Sequence, residues 1–256
     1  MGIKSEIFLN TDPRDACRLA CVSTAFRSAA DSDIVWDHFL HPEYLSAISD
    51  LGSISGLFKK ELYLSSCLNP IHKGKLSFWF DLPSGKKCYM ISARELNIQN
   101  SDCIYAWRWF STPDAQHRFC IPDGRFPEVV ICAEVYYFEI GGKICTSLLS
   151  LTTTYVAYIV FAGDLVCDVD YDEVEVSVGL VGCNNGQNQT IYIHRVHQDG
   201  DDDGFFPKKR EDGWLESELG EFFYEGDEDG ELLMTIYTSM KQNFLVQGIE
   251  IRPKKE

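Results

Sequence analysis

No stretch of this chain approaches the roughly 18 consecutive apolar residues that a membrane-crossing helix needs, so no span is expected. The first residues, Met1 to Glu6, lack the apolar core of a secretory signal, which predicts a place in the cytoplasm or nucleus. Basic charge is scarce. Lys and Arg number 23 against 39 Asp and Glu, a formal net charge of −16, which disfavours a nucleic-acid backbone because that ligand needs a basic face. None of the ten cysteines forms a Cys-x-x-Cys pair. Cys17 and Cys21 sit one helical turn apart, too few for the four ligands of a structural zinc. The cysteines read as reduced, mostly buried, small hydrophobes. No Gly-rich phosphate loop, nucleophile elbow or zincin helix occurs, so no catalytic residue, metal or cofactor is expected.

Several patterns come close to a site and stop short. Asp199, Asp201, Asp203 and Gly204 match the opening of a calcium loop, whose twelfth position requires a bidentate Glu; that position is Arg210. His194 and His197 would face opposite sides of a strand. Glu216, Glu218 and Glu221 suggest a glycosidase pair only if a cleft sets their separation. Residues 199–231 hold 14 acidic and 3 basic side chains, which reads as solvated acidic loops.

Residues 11–40 read as two helices. Asp12 is the N-cap and Pro13 sits at the first turn, where its missing N–H is harmless. Ala16, Cys17, Leu19, Val22 and Phe26 form one apolar stripe, and Val35, Trp36, Phe39 and Leu40 the next. His41-Pro42 ends the second helix. A third helix is expected over residues 55–65. From Leu76 the period changes to two: 76–80, 88–93, 129–140, 155–161, 174–180, 191–193, 214–223, 232–238 and 244–251. Gly141-Gly142 reads as a turn. The 155–161 strand is apolar on both faces and should be central. The class is mainly β, an antiparallel β-sandwich after a small helical segment.

Within residues 92–110, Trp107 and Trp109 are one residue apart and share a strand face. They are either core or a stacking platform for a ring-shaped ligand such as a sugar.

Two resemblances follow. Pro13-Arg14-Asp15-Ala16-Cys17-Arg18, Val22-Ser23, Phe26-Arg27-Ser28-Ala29-Ala30-Asp31-Ser32-Asp33 and Val35-Trp36 resemble the second half of a plant F-box, in the version fused to phloem protein 2-like lectin domains. Only residues 5–9 stand where the family has its Leu-Pro-Glu opening, so the F-box reads as shortened. Residues 93–96, Trp107-Arg108-Trp109, Phe138-Glu139-Ile140, 155–161, 211–223, 228–231 and 248–253 resemble the phloem protein 2 and Nictaba-type lectin domain. The resemblance implies a jelly-roll-like lectin sandwich over 76–256, a linker with a short helix over 48–75 and partial F-box helices over 1–47. It implies a Skp-type ubiquitin-ligase adaptor bound through Pro13, Val22, Phe26 and Trp36, and a glycan-binding domain; by its chemistry the sugar site is expected at Trp107 as platform, with its neighbours Asn100 and Asp102 as hydrogen-bonding groups. Related lectins that bind N-acetylglucosamine oligomers carry a further tryptophan where this chain has Asn100. Trp109 and Trp214 are assigned to the core. The reading is a non-catalytic substrate receptor of a cullin-type ubiquitin ligase that binds glycoproteins. The alternatives are a stand-alone cytosolic or nuclear lectin and a protein-binding sandwich without sugar affinity.

Overall fold

A computed structural model describes residues 8, 11–40, 45, 58–163, 173–182, 186–193, 206–226 and 230–255. The chain divides into two compact units, Met1–Lys73 with Phe78–Cys88, and Gly74–Ser77 with Tyr89–Glu256.

The first unit is helical. Helix α1 (Pro13–Ala20) starts as expected, with the Asp12 carboxylate accepting from the Asp15 N–H at 2.6 Å. The expected long first helix breaks, because Ser23 restarts the chain: its hydroxyl accepts from the Phe26 N–H at 3.2 Å and opens α2 (Thr24–Ala30). Helix α3 is Asp33–Phe39 and α4 is Lys59–Leu68; residues 55–57 of the expected third helix, and His41-Pro42, lie outside the described residues. The break rotates the stripe. Ala16 is buried and Phe26 half-buried, while Cys17 and Val22 are exposed. Phe8, Ala16, Val35, Trp36, Leu62, Tyr63 and Phe80 pack into one core. Burial drives the Tyr63 phenol far above its usual pKa. The segment expected as linker therefore contributes Leu62 and Tyr63 to a core.

The strands in chain order are β1 (Ile71–Lys73), β2 (Leu76–Phe80), β3 (Lys87–Ser92), β4 (Asn97–Ile98), β5 (Trp107–Ser111), β6 (Glu128–Cys145), β7 (Thr153–Ala162), β8 (Glu173–Leu180), β9 (Gln187–Tyr192), β10 (Lys208–Lys209), β11 (Leu215–Tyr224) and β12 (Glu231–Pro253). The second unit is an antiparallel, jelly-roll-like β-sandwich, and β12 is its seam. Residues 232–237 of β12 lie between β6 and β8. Residues 248–251 lie between β3 and β7. β7 sits between β12 and β11 and is buried on both faces, as its sequence predicts.

Three expectations are corrected here. Gly141-Gly142 is not a turn, because β6 runs through it. A Cβ at Gly142 would come within 2.9 Å of Ile249 Cδ1 and 3.2 Å of Leu96 Cδ2, so glycine serves close packing. The two closing strands are one, since residues 239–243 continue the β6 ladder. The cysteines are not mostly buried. Among those described, Cys88 and Cys132 are buried and Cys67 is half-buried, while Cys17, Cys21, Cys103, Cys120 and Cys145 lie exposed on a helix face, loops and a strand end.

One helix was missed. In α5 (Thr112–Phe119) the Ser111 hydroxyl accepts from the Asp114 N–H at 3.2 Å, and Pro113 sits in the first turn. Ser-Thr-Pro-Asp was the signal.

Candidate functional site

The loop between β4 and β5 collects the residues expected to bind sugar. β4 pairs with β6, and the Gln99 N–H donates to the Glu139 carbonyl at 2.9 Å. The chain then turns at Asn100, whose φ of 58° is the left-handed conformation that asparagine tolerates better than most residues. Two tight turns follow, closed by Cys103 N–H to the Asn100 carbonyl and Ala106 N–H to the Cys103 carbonyl, each 2.9 Å.

Trp107 holds the loop shut. Its ring is 1 % exposed, and its Nε1–H donates to the Gln99 carbonyl at 3.0 Å, tying the first residue of β5 to the first residue of the loop. A ring so enclosed has no face for a sugar, so the platform expected of Trp107 is corrected to an anchor. Asn100 and Asp102 are exposed on the loop it anchors. The ring that does reach solvent is Tyr105, 79 % exposed, beside exposed Ile104. No periodicity picked out Tyr105, because it lies in a turn where strand alternation does not apply.

Trp109 also departs from expectation. It is half-buried, and the Arg94 guanidinium lies 3.7 Å over its ring. Arg94 forms a two-pronged pair with Glu128 at 2.6 and 2.9 Å, which holds the Glu128 carboxyl below its usual pKa. Trp214 is fully buried, as expected, with Nε1–H donating to the Asp123 carbonyl at 2.9 Å.

Chemically, the loop offers one open phenol ring with an amide and a carboxylate nearby. Sugars present apolar C–H faces ringed by hydroxyls, and such a set meets both.

Of the three glutamates that could suggest glycoside chemistry, Glu216 is held out of acid–base work, while burial and then Glu221 push the Glu218 carboxyl up. Glu216 is clamped by Arg210 at 2.7 Å and by Arg252 at 2.5 and 2.8 Å. Burial pushes its carboxyl up, but the hydrogen bonds and charge of the two arginines outweigh that and leave it below the usual range. A carboxylate so held cannot serve as a proton donor near neutral pH. Glu250, 2 % exposed, accepts from Arg210 at 3.0 Å and from Arg252 at 2.8 Å, and Arg252 lies 3.8 Å over the Tyr158 ring. The network is structural. His194, His197 and residues 199–203 lie outside the described residues.

In the helical unit, the expected adaptor contacts divide. Pro13 and Trp36 are buried, with Trp36 Nε1–H donating to the Ala30 carbonyl, so both support the helices from within. Phe26 is half-buried and Val22 is 68 % exposed. Ile34 and Leu68 add exposed apolar side chains that the stripes did not single out, and Phe58, expected on the apolar stripe of the third helix, is exposed at its N-cap.

Comparison with known proteins bears on both units. The Phloem protein 2 family profile matches residues 86–253 and the F-box domain profile matches residues 3–38. Two relatives from Arabidopsis thaliana are F-box protein At2g02240, 42 % identical across 98 % of this chain and 78 % of its own, and putative F-box protein PP2-B12, 40 % identical across 96 % and 92 %. Among solved structures, a family 35 carbohydrate-binding module from Clostridium thermocellum is similar over 64 % of this chain and 96 % of its own, at 6 % identity and a TM-score of 0.35, values too low to bear on a site or ligand.

Proposed function

This chain belongs to the phloem protein 2 family, among members that carry an F-box, and from that premise we propose that it is a non-catalytic substrate receptor of a cullin-type ubiquitin ligase that holds glycoproteins through its β-sandwich. The helical unit takes a Skp-type adaptor, and the protein acts in the cytoplasm or nucleus. The observation that carries the reading is the Trp107-anchored loop with Tyr105, Asn100 and Asp102 turned to solvent. N-acetylglucosamine oligomers are the first probe.

Two variants separate the ring that binds from the ring that holds. Loss of an open stacking ring costs about 1–1.5 kcal/mol, so Tyr105→Ala is expected to weaken glycan binding roughly 5–10-fold with an unchanged melting temperature. Trp107→Ala is expected to destabilise the fold by about 3–5 kcal/mol. Calorimetric titration and thermal melts measure both. If Tyr105→Ala binds as the parent does, the loop is not the site. If a glycan array finds nothing retained by the parent, the sandwich is a protein-binding one.

The adaptor half has its own test. The chain is expected to co-purify with a Skp-type adaptor. Burying a valine at an interface contributes about 1.5 kcal/mol or more, so Val22→Asp is expected to cut the affinity at least about 10-fold. An adaptor that the parent does not retain would leave the stand-alone lectin as the reading, which the burial of Pro13 and Trp36 favours.

A further inference from the structure

The outer face of the sheet formed by β8, β12 and β6 carries a second arrangement, built on strand residues, with Glu139 beside the start of the β4–β5 loop. Strand register places Tyr237 directly opposite Glu139 on one side and Glu175 on the other. Directly paired side chains have Cβ atoms about 4.5–5.5 Å apart. The two glutamates therefore flank one tyrosine, with their backbones two strand spacings, about 10 Å, apart. All three side chains are exposed, Tyr237 at 45 %.

The neighbouring rows of this face are satisfied. Glu231 pairs with Lys143 at 3.2 Å, and Ser177 and Thr235 share a hydrogen bond of 2.5 Å. Among the described residues no cation pairs with Glu139 or Glu175. Among the described residues, the face thus pairs its charge at the Glu231 end and leaves Glu139 and Glu175 without a cation beside Tyr237.

We propose that Tyr237, Glu139 and Glu175 receive a lysine or arginine side chain from a basic segment of a partner protein. A cation over the ring is drawn by the ring's quadrupole, and either carboxylate adds Coulomb attraction. The methylene stem of a lysine or arginine lies against the ring while its charged end stays hydrated. Among the described residues no group of three or more metal-ligating side chains forms. The net charge of −16 steers a basic partner toward the chain, and this site gives it a place to stop. The inference stands apart from the glycan reading, since none of its residues lies in the β4–β5 loop.

The test uses a fluorescent peptide of alternating lysine and glycine, read by anisotropy at low and at physiological salt. The parent is expected to bind it, and more weakly as salt rises. Tyr237→Ala, and separately Glu139→Gln with Glu175→Gln, are each expected to weaken binding about 5-fold. Tyr237→Phe keeps the ring and is expected to keep the affinity. Glu211→Gln with Glu225→Gln removes the same charge elsewhere, from two exposed positions, and is expected to leave the affinity within about 2-fold. Thermal melts check that each variant is folded; the paired glutamine variant preserves side-chain shape and carries the test if Tyr237→Ala does not fold. Equal losses in both glutamine pairs would mean bulk charge attraction alone and overturn the proposal. So would a parent that ignores the peptide.

Discussion

Gly248→Ala is expected to leave little or no folded protein. Gly248 lies on β12 where that strand pairs with β3 and β7 together, opposite Ser92 and Val160. A Cβ there would run into the carbonyl oxygen of Ile91 and stand 3.1 Å from its carbonyl carbon, both backbone atoms with nowhere to go. Relief requires parting two central strands, and overpacking of a dense core already costs about 1–3 kcal/mol when only side chains must shift. The measurement is soluble yield with far-ultraviolet circular dichroism. A variant that melts within a few degrees of the parent would show that β3 can give way.

The second large effect belongs to the buried ion network. Removing one partner from such a network leaves the others charged and unpaired, at a cost of about 3–5 kcal/mol. Glu216→Ala strips two hydrogen bonds from Arg252 and one from Arg210, so urea unfolding is expected to shift by that amount. The network also sets an acid limit. Glu216 has a folded-state pKa below its unfolded value of about 4.3, so its stabilisation is full above that pH and is lost as pH falls through the folded value. Glu128 adds a smaller contribution of the same sign, screened by its exposure. Stability plotted against pH should therefore fall below about pH 4, and the fall should be shallower in Glu216→Gln. An equal slope in both proteins would remove Glu216 from the account.

Much of this architecture is legible in the sequence. Asp12 and Pro13 announced α1, and alternation announced β7 and β8, because caps and strand periods act over a few residues. Ser23 and Ser111 carry equally local signals, which the longer apolar runs around them mask. The misplaced rings have a different cause. Trp107 and Trp109 do share a strand face by pattern, yet what surrounds a ring is set by other parts of the chain: the Gln99 carbonyl takes the indole N–H of one, and Arg94 lies over the face of the other. Tyr105 gave no sign, since a turn has no period to violate. The continuity of β12 is hidden by Ser239, Lys241, Gln242 and Asn243, which interrupt the apolar alternation while the backbone ladder to β6 goes on.

The seam strand has a consequence for biosynthesis. β12 is the partner of β3, β6, β7 and β8, and the ladders it completes reach back as far as residue 89. During translation those four strands emerge first and wait with open edges, because the strand that joins them is made after all of them. Unpaired edges of this kind invite pairing between chains, and long-range ladders close slowly. A ribosome stalled anywhere before residue 231 should thus display a sticky, incomplete sandwich that draws chaperones, and release of the last 20 or so residues of β12 should let it close in one step.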